Sequence, residues 1–364
     1  MGTIIGAFFA LACAESSPAE LVRQLGDESY RAREAATVEL LRLGSVAKAA
    51  VSEGLGGDDP EVRDRCERIL PQILAADLNE RIQKFLDDPA LAATLDLPGY
   101  DRYVELCGDG PAARELYVEL VREHGRLIQA VETDRRQAPT KFREFASRFA
   151  DQRRFVPNGG VVTPNNASRV DVAAVLFAGS YADARSADLP YLQVSAILRL
   201  PAFTQAVRDE GDPVRKLLAA WAARQTHQTI LIRIFTIATT SDIKELLPFA
   251  VRHLADKQSL PRSRAFAMLA VGKHGSKEHV AAVEQLLDDK AALTAVNVNG
   301  KRGTVEVRDV ALAVCVQLSG ETLEGYGFDL LNTYPVRVTS FYQLGFSDDE
   351  KREAALERWR ERDK

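Results

Sequence analysis

Cysteine, histidine, long apolar runs and net charge are all in short supply in this chain, and each shortage closes off a class of function. Four cysteines, Cys13, Cys66, Cys107 and Cys315, stand far apart with no CxxC and no CxxCH. That argues against a zinc ribbon, a covalently attached haem and a disulfide framework, and leaves Cys66, Cys107 and Cys315 as small buried hydrophobes. The five histidines, His124, His227, His253, His274 and His279, include no His-Glu-x-x-His. His274 and His279 are close in sequence but on opposite sides of a helix start, a poor arrangement for shared metal ligation. Beyond the N-terminus no stretch approaches the ~18 to 20 apolar residues that span a bilayer. With 27% charged residues but a formal net charge of only -5, the global field gives no pull toward nucleic acid or anionic membrane.

Catalytic signatures are equally sparse. Gly-x-Ser-x-Gly, Gly-x-Gly-x-x-Gly and Gly-x-x-x-x-Gly-Lys do not occur, and the nearest phrase, "AVGKHGSK", lacks the first glycine and a preceding strand. Gly272 and Gly275 there read as a helix end. Ser-x-x-Lys occurs as Ser45 to Lys48 and again as Ser241 to Lys244, without the Ser-Asp-Asn or Lys-Thr-Gly companions of penicillin-binding enzymes. Both serines are expected to cap helices.

What is present is a chain of 364 residues, 46% of them hydrophobic, enough for a sizeable core. The N-terminus runs "MGTIIGAFFALACAESSPAE": Ile4 to Leu11 is apolar and Ala12-Cys13-Ala14 has the small-x-small form that signal peptidase cleaves after. Residues 1–14 are therefore expected to be a signal peptide, cut before Glu15, although no Lys or Arg precedes Arg23. The mature chain is expected in the periplasm or outside the cell. Lipid attachment through Cys13 is the lesser alternative, since Ala10 stands where a larger aliphatic is preferred.

Helical periodicity dominates the rest. "PAELVRQLGD", "SYRAREAATVELLRLG", "SVAKAAVSEGLGG" and "DPEVRDRCERILPQIL" pair as short helix, long helix, twice over. Superposing Ala32-Arg33 on Val62-Arg63 places Ala36 over Cys66 and Leu40 over Leu70, a period of about 30 residues in the range of stacked helix pairs. Asp59 is expected to cap the second long helix, Pro60 to occupy its first turn, where a missing N–H costs nothing, and Val62 to begin its buried stripe. The phrase returns as "GDPVRKLLAAWAA" and "VEVRDVALAVCVQL", so Arg63, Arg215 and Arg308 each follow a valine. An arginine one place past a buried residue lies at the edge between units, where Arg63 is expected to tie an acidic helix end such as Asp27 or Glu28.

This Pro/Asp-Val-Arg opening of the second helix resembles HEAT-like and armadillo-type repeats, here of an exported bacterial type. The resemblance is specific over residues 18–76 and looser at 213–225, 241–289 and 305–319. It implies an all-α fold, an α-solenoid of stacked antiparallel helix pairs. One family of iron-dependent hydroxylases uses such repeats with paired His-Glu dipeptides, but Glu123-His124 and Glu278-His279 have the reverse order.

Two segments break the period. "LTAVNVNGKRGTVEVRD" alternates Val296, Val298, Val305 and Val307 about Asn299-Gly300 and predicts a β-hairpin near 293–307 inserted between two helices. "RRFVPNGGVVTPNNASRV" is rich in Pro, Gly and Asn and reads as a linker, 153–170. The expected organisation is a signal peptide (1–14), N-terminal repeats (15–76), an irregular helical region (77–152), the linker, a second run of repeats (171–346) and a charged C-terminal helix (347–364). In that last helix Ser347 and Glu350 are expected to form a capping box, and Ala355, Leu356 and Trp359 a narrow docking stripe.

One local charge anomaly stands out. Residues 135–155 hold Arg135, Arg136, Lys141, Arg143, Arg148, Arg153 and Arg154 against Glu144 and Asp151, with Phe142, Phe145 and Phe149 at helical spacing. These seven basic residues are the candidate binding surface, and the phenylalanines read first as a core-facing stripe. The function expected overall is a non-enzymatic scaffold for another protein, with no cofactor, no metal and no catalytic residues. The alternatives are a binder of nucleic acid or another polyanion through 135–155, and an enzyme whose site is built from scattered Asp, Glu and His.

Overall fold

The computed structural model describes residues 16–150, 167–181 and 196–362. Residues 1–14 and most of the segment 153–170 lie outside these. The chain divides into two compact units, Met1–Leu97 and Pro98–Lys364. Sixteen α-helices and one two-stranded sheet occur among the described residues, so the fold is all-α apart from a single hairpin.

In the first unit four helices follow in the expected short-long order: α1 (Pro18–Gln24), α2 (Tyr30–Leu43), α3 (Lys48–Gly54) and α4 (Pro60–Asp87). Ser17 and Pro18 start α1, the serine hydroxyl accepting from the Glu20 N–H at 3.3 Å. Asp59 and Pro60 start α4 in the same way, the carboxylate accepting from the N–H groups of Glu61 and Val62 at 2.8 and 3.3 Å. These caps satisfy donors that the first helical turn leaves open. α1 packs on α2 and α3, while α2 and α3 both pack on α4, around Leu21, Leu25, Leu40, Val51, Cys66 and Ile69. A Cβ at Gly54 would lie 2.6 Å from Cys66 Sγ, so glycine is what lets α3 approach α4 so closely.

α4 continues past residue 76, where the sequence period ends. It runs through Pro71 to Asp87 and buries Ile82 and Phe85 on the way. Its buried stripe is Val62, Cys66, Ile69 and Ile73, with Leu70 only half-buried. The true helical period of 3.6 favours Ile69 over the residue four places on from Cys66.

Arg63 does not tie Asp27 or Glu28. It folds back over its own turn, where Nη1 donates to the carbonyls of Gly57 and Asp58 at 2.7 and 2.9 Å. Asp27 and Glu28 are served instead by Arg33, whose Nη1 donates to their carbonyls at 2.7 and 3.1 Å. α4 and α2 are tied by Arg65, two places further on, which reaches Glu34 at 2.9 Å, and by Arg33, which pairs with Glu61 at 3.3 Å; Glu61 also accepts from Arg65 within α4 at 2.6 Å.

The second unit contains α5 (Tyr100–Cys107), α6 (Pro111–Thr133), α7 (Ala138–Ala150), α8 (Arg169–Tyr181), α9 (Pro201–Ala206), α10 (Pro213–Ala222), α11 (Gln228–Thr240), α12 (Leu247–Leu254), α13 (Pro261–His274) and α14 (Val280–Glu284). The hairpin β1 (Ala292–Val298) and β2 (Lys301–Glu306) follows, then α15 (Val307–Leu318) and α16 (Asp349–Glu361). α8 and α15 are apolar on every side and buried along most of their length, as core helices must be. α8 packs on α6, α7 and α10; α15 packs on α13 and α14. Asp212 caps α10 with Pro213 in its first turn, and Arg215 crosses to Glu245 at 3.0 Å and to the Asp242 carbonyl. Arg308, at the start of α15, similarly crosses to Glu353 on α16 at 2.7 Å.

The hairpin is where the alternating valines place it. Asn299 and Gly300, with φ of 51° and 82°, form a two-residue turn whose left-handed backbone matches the twist of the strands. At the C-terminus the expected box of Ser347 and Glu350 is replaced. Asp348 caps α16 by accepting from the Lys351 N–H at 3.0 Å, because Ser347 is drawn to Asp329, to which its N–H and O–H donate at 2.9 and 2.7 Å. Ala355, Leu356 and Trp359 are buried as a docking stripe, and so is Arg352.

Candidate functional site

The basic segment is built by α7 and the turn before it. Asp134 accepts from the N–H groups of Arg136 and Gln137 at 3.0 and 3.2 Å, which fixes the turn and leaves Arg135 and Arg136 exposed. Ala138, Phe142, Phe145 and Ala146 then form the buried face of α7, which packs on α6 and α8. Phe142 and Phe145 are therefore core, and no stacking platform for bases. Lys141 pairs with Glu144 at 3.4 Å, and the Arg148 guanidinium lies 5.6 Å from the centre of the Phe145 ring. Arg143 is half-buried. The Phe149 side chain, Arg153 and Arg154 lie outside what is described. The structure thus brings Arg135 and Arg136 together at one turn and spreads Lys141, Arg143 and Arg148 along the helix.

Beneath Phe145 is a group that sequence reasoning did not assemble. α6 departs from helical geometry at His124, whose φ and ψ are -128° and 17°, with the buried Gly125 next in the chain. The His124 ring packs edge-on to Phe145 with centroids 5.0 Å apart. Its Nε2 lies 3.0 Å from Asp171 Oδ1 on α8 and 3.9 Å from Glu123 Oε2. Ser168 and Asp171 cap α8 reciprocally: Asp171 Oδ2 accepts from the Ser168 N–H and O–H at 2.8 and 3.0 Å, and the Asp171 N–H donates to Ser168 Oγ at 3.0 Å. Arg169 joins the same helix start to Glu119 on α6 at 3.2 Å and to Asp212 at 2.8 Å.

The other chemistry-bearing groups are occupied structurally. Neither Ser-x-x-Lys serine starts a helix through its hydroxyl: Ser45 lies within a 3₁₀ turn, with its hydroxyl 3.5 Å from Glu80, and Ser241 ends α11, its N–H donating to the Ile237 carbonyl. Their lysines pair elsewhere, Lys48 with Asp77 at 3.5 Å and Lys244 with Glu210 at 3.9 Å. His253 Nε2 is 3.1 Å from Ser263 Oγ and its Nδ1 is 3.4 Å from Ser259 Oγ, a relay-like chain. Ser263 is fully buried and donates to the Leu260 carbonyl, so substrate has no route to it, and burial holds His253 below the usual histidine range. Cys66, Cys107 and Cys315 are buried free thiols; burial pushes Cys107 up to about 12, far from the thiolate a nucleophile needs. His274 meets the Ala238 carbonyl at 2.8 Å, whereas His279 sits at Ser276, so the two share no site.

No protein-family model matches this chain, and no curated protein matches it. No helix among the described residues is long and apolar enough to cross a membrane.

Proposed function

We propose that this chain is an exported HEAT-like, armadillo-type α-solenoid that acts as a non-enzymatic scaffold, presenting stacked helix pairs to another protein. The observation that carries this reading is the shared role of Arg33 and Arg63. Each clamps the two carbonyls five and six residues before it, at equivalent places in two successive short-long helix pairs. A unit that repeats its sequence and its internal bonding is suited to extended binding surfaces, because stacking buries one face of each pair and leaves the opposite edges for a partner. Tyr30, Val38 and Val46 in the first unit, and Tyr334, Val336 and Tyr342 in the second, are apolar or aromatic side chains left exposed, which supports a protein ligand over a polyanion.

Proximity labelling of the native protein tests the partner class: a recurring protein supports the scaffold, and its absence from every replicate counts against it. Export is tested at the terminus of the cellular protein. It should begin at Glu15, and an intact Met1 would remove export from the account.

A further inference from the structure

We propose that Glu123, His124 and Asp171 bind one divalent transition-metal ion of the zinc type, in a site that joins the bend of α6 to the start of α8. Among the described residues this is the one grouping of His, Cys, Asp and Glu whose ligand atoms all lie within 4.8 Å of one another. An imidazole with two carboxylates is a donor set that suits zinc, whereas magnesium and calcium prefer oxygen alone. In a tetrahedral site with bonds of about 2.0 to 2.2 Å, neighbouring donors fall about 3.3 Å apart. The separations from Nε2, 3.0 Å to Asp171 and 3.9 Å to Glu123, bracket that value.

Two further features point the same way. His124 Nε2 is buried, yet it has no hydrogen-bond partner. Asp171 Oδ1 lies 3.0 Å from it without forming a hydrogen bond, as two ligands of one central ion do. A buried nitrogen left unsatisfied calls for an explanation, and an ion held between it and the carboxylate supplies one. The second oxygen of Asp171 is held by the Ser168 N–H and O–H, the kind of outer support that orients ligating carboxylates. Exposure rises across the set, from 15% for the His124 side chain and 21% for Asp171 to 53% for Glu123. The ion therefore enters from the Glu123 side, where water completes its coordination. Two carboxylates and a neutral imidazole together balance a doubly charged cation.

The test uses untagged, chelator-treated full-length protein titrated with Zn²⁺ alone by calorimetry at neutral pH, beside Glu123→Gln and His124→Asn. Glu123 is exposed, so its variant leaves folding untouched. The expected result is saturable uptake of one ion per chain, about 10-fold or more weaker in Glu123→Gln and lost in His124→Asn. Chelator should then lower the melting temperature of the wild type and leave that of His124→Asn unchanged. No uptake by the wild type, or uptake that either substitution leaves intact, would overturn the site and identify the contact as a plain His–Asp pair.

Discussion

Arg33 and Arg63 stand 30 residues apart and share one clamp, each donating Nη1 to the carbonyls of the fifth and sixth residues before it, while Arg33 alone also pairs with Glu61 at 3.3 Å. The carbonyls belong to the turn that leads into the helix carrying the arginine, so each guanidinium closes its own loop. Replacing either by alanine removes two charge-assisted bonds at a half-exposed site, a loss of about 1 to 2 kcal/mol. Both variants should be destabilised in urea titrations, Arg33→Ala the more because it also loses the Glu61 pair, with amide exchange accelerated first at 26–28 for Arg33→Ala and at 57–59 for Arg63→Ala. A loss in one variant with none in the other would mean the shared clamp is incidental to the proposed repeat.

Val62→Asp puts a carboxylate into the core of the first unit beside Gly26 and Cys66. It forfeits about 1.5 to 3 kcal/mol of apolar burial and adds a desolvation penalty. In the proposed solenoid, damage passes mainly to neighbouring helix pairs. Limited proteolysis should therefore cut first within residues 16–97, while fragments from beyond residue 170 persist. An unchanged melting temperature would place Val62 outside the core.

Much of this organisation was legible beforehand because it is local. The Asp59 cap, the proline in the first turn of α4 and the Asn299-Gly300 turn are set by neighbouring residues, and the chain shows them as written. Where a distant group competes, sequence order misleads. Ser347 looks like a cap until Asp329, 18 residues earlier, claims it. Arg63 looks like an inter-unit tie until the nearer carbonyls of Gly57 and Asp58 take it. The metal grouping lies at the far end of this scale. Glu123-His124 is visible as a dipeptide, but Asp171 arrives from another helix 47 residues on, and no spacing rule connects them.

Asp309 gives the clearest pH dependence. Burial pushes its carboxyl up to about 6, against the pull of the Arg352 guanidinium 2.8 Å away. The unfolded value is about 3.9, so the folded chain holds this proton more tightly than the unfolded chain does. Stability from Asp309 is then fully present below about pH 4 and is lost as pH rises through about 6. Glu306, Arg308 and Asp349 surround the same pair, so the comparison must isolate one group. The stability of wild type minus that of Asp309→Asn should fall by up to about 1.4 kcal/mol per pH unit across this window, then level off. A difference that stays flat would show that Arg352, and not burial, governs the carboxyl.

The basic segment separates the scaffold from the polyanion binder. Changing the exposed Arg135 and Arg136 to glutamate leaves buried Phe142 and Phe145 in place, and surface charges are worth only about 0 to 1 kcal/mol each, so the fold should survive. A scaffold binds heparin and single-stranded DNA weakly or not at all, before and after the change. Tight retention that falls steeply with salt and vanishes in the variant would favour the polyanion reading.

The central claim, that this chain works by holding another protein, is tested most directly by reciprocal purification of the crosslinked native protein with and without nuclease. The account predicts one recurring protein partner, recovered from either side and indifferent to nuclease. A complex that dissolves on nuclease treatment, or a chain recovered alone from every crosslinked preparation, would contradict it.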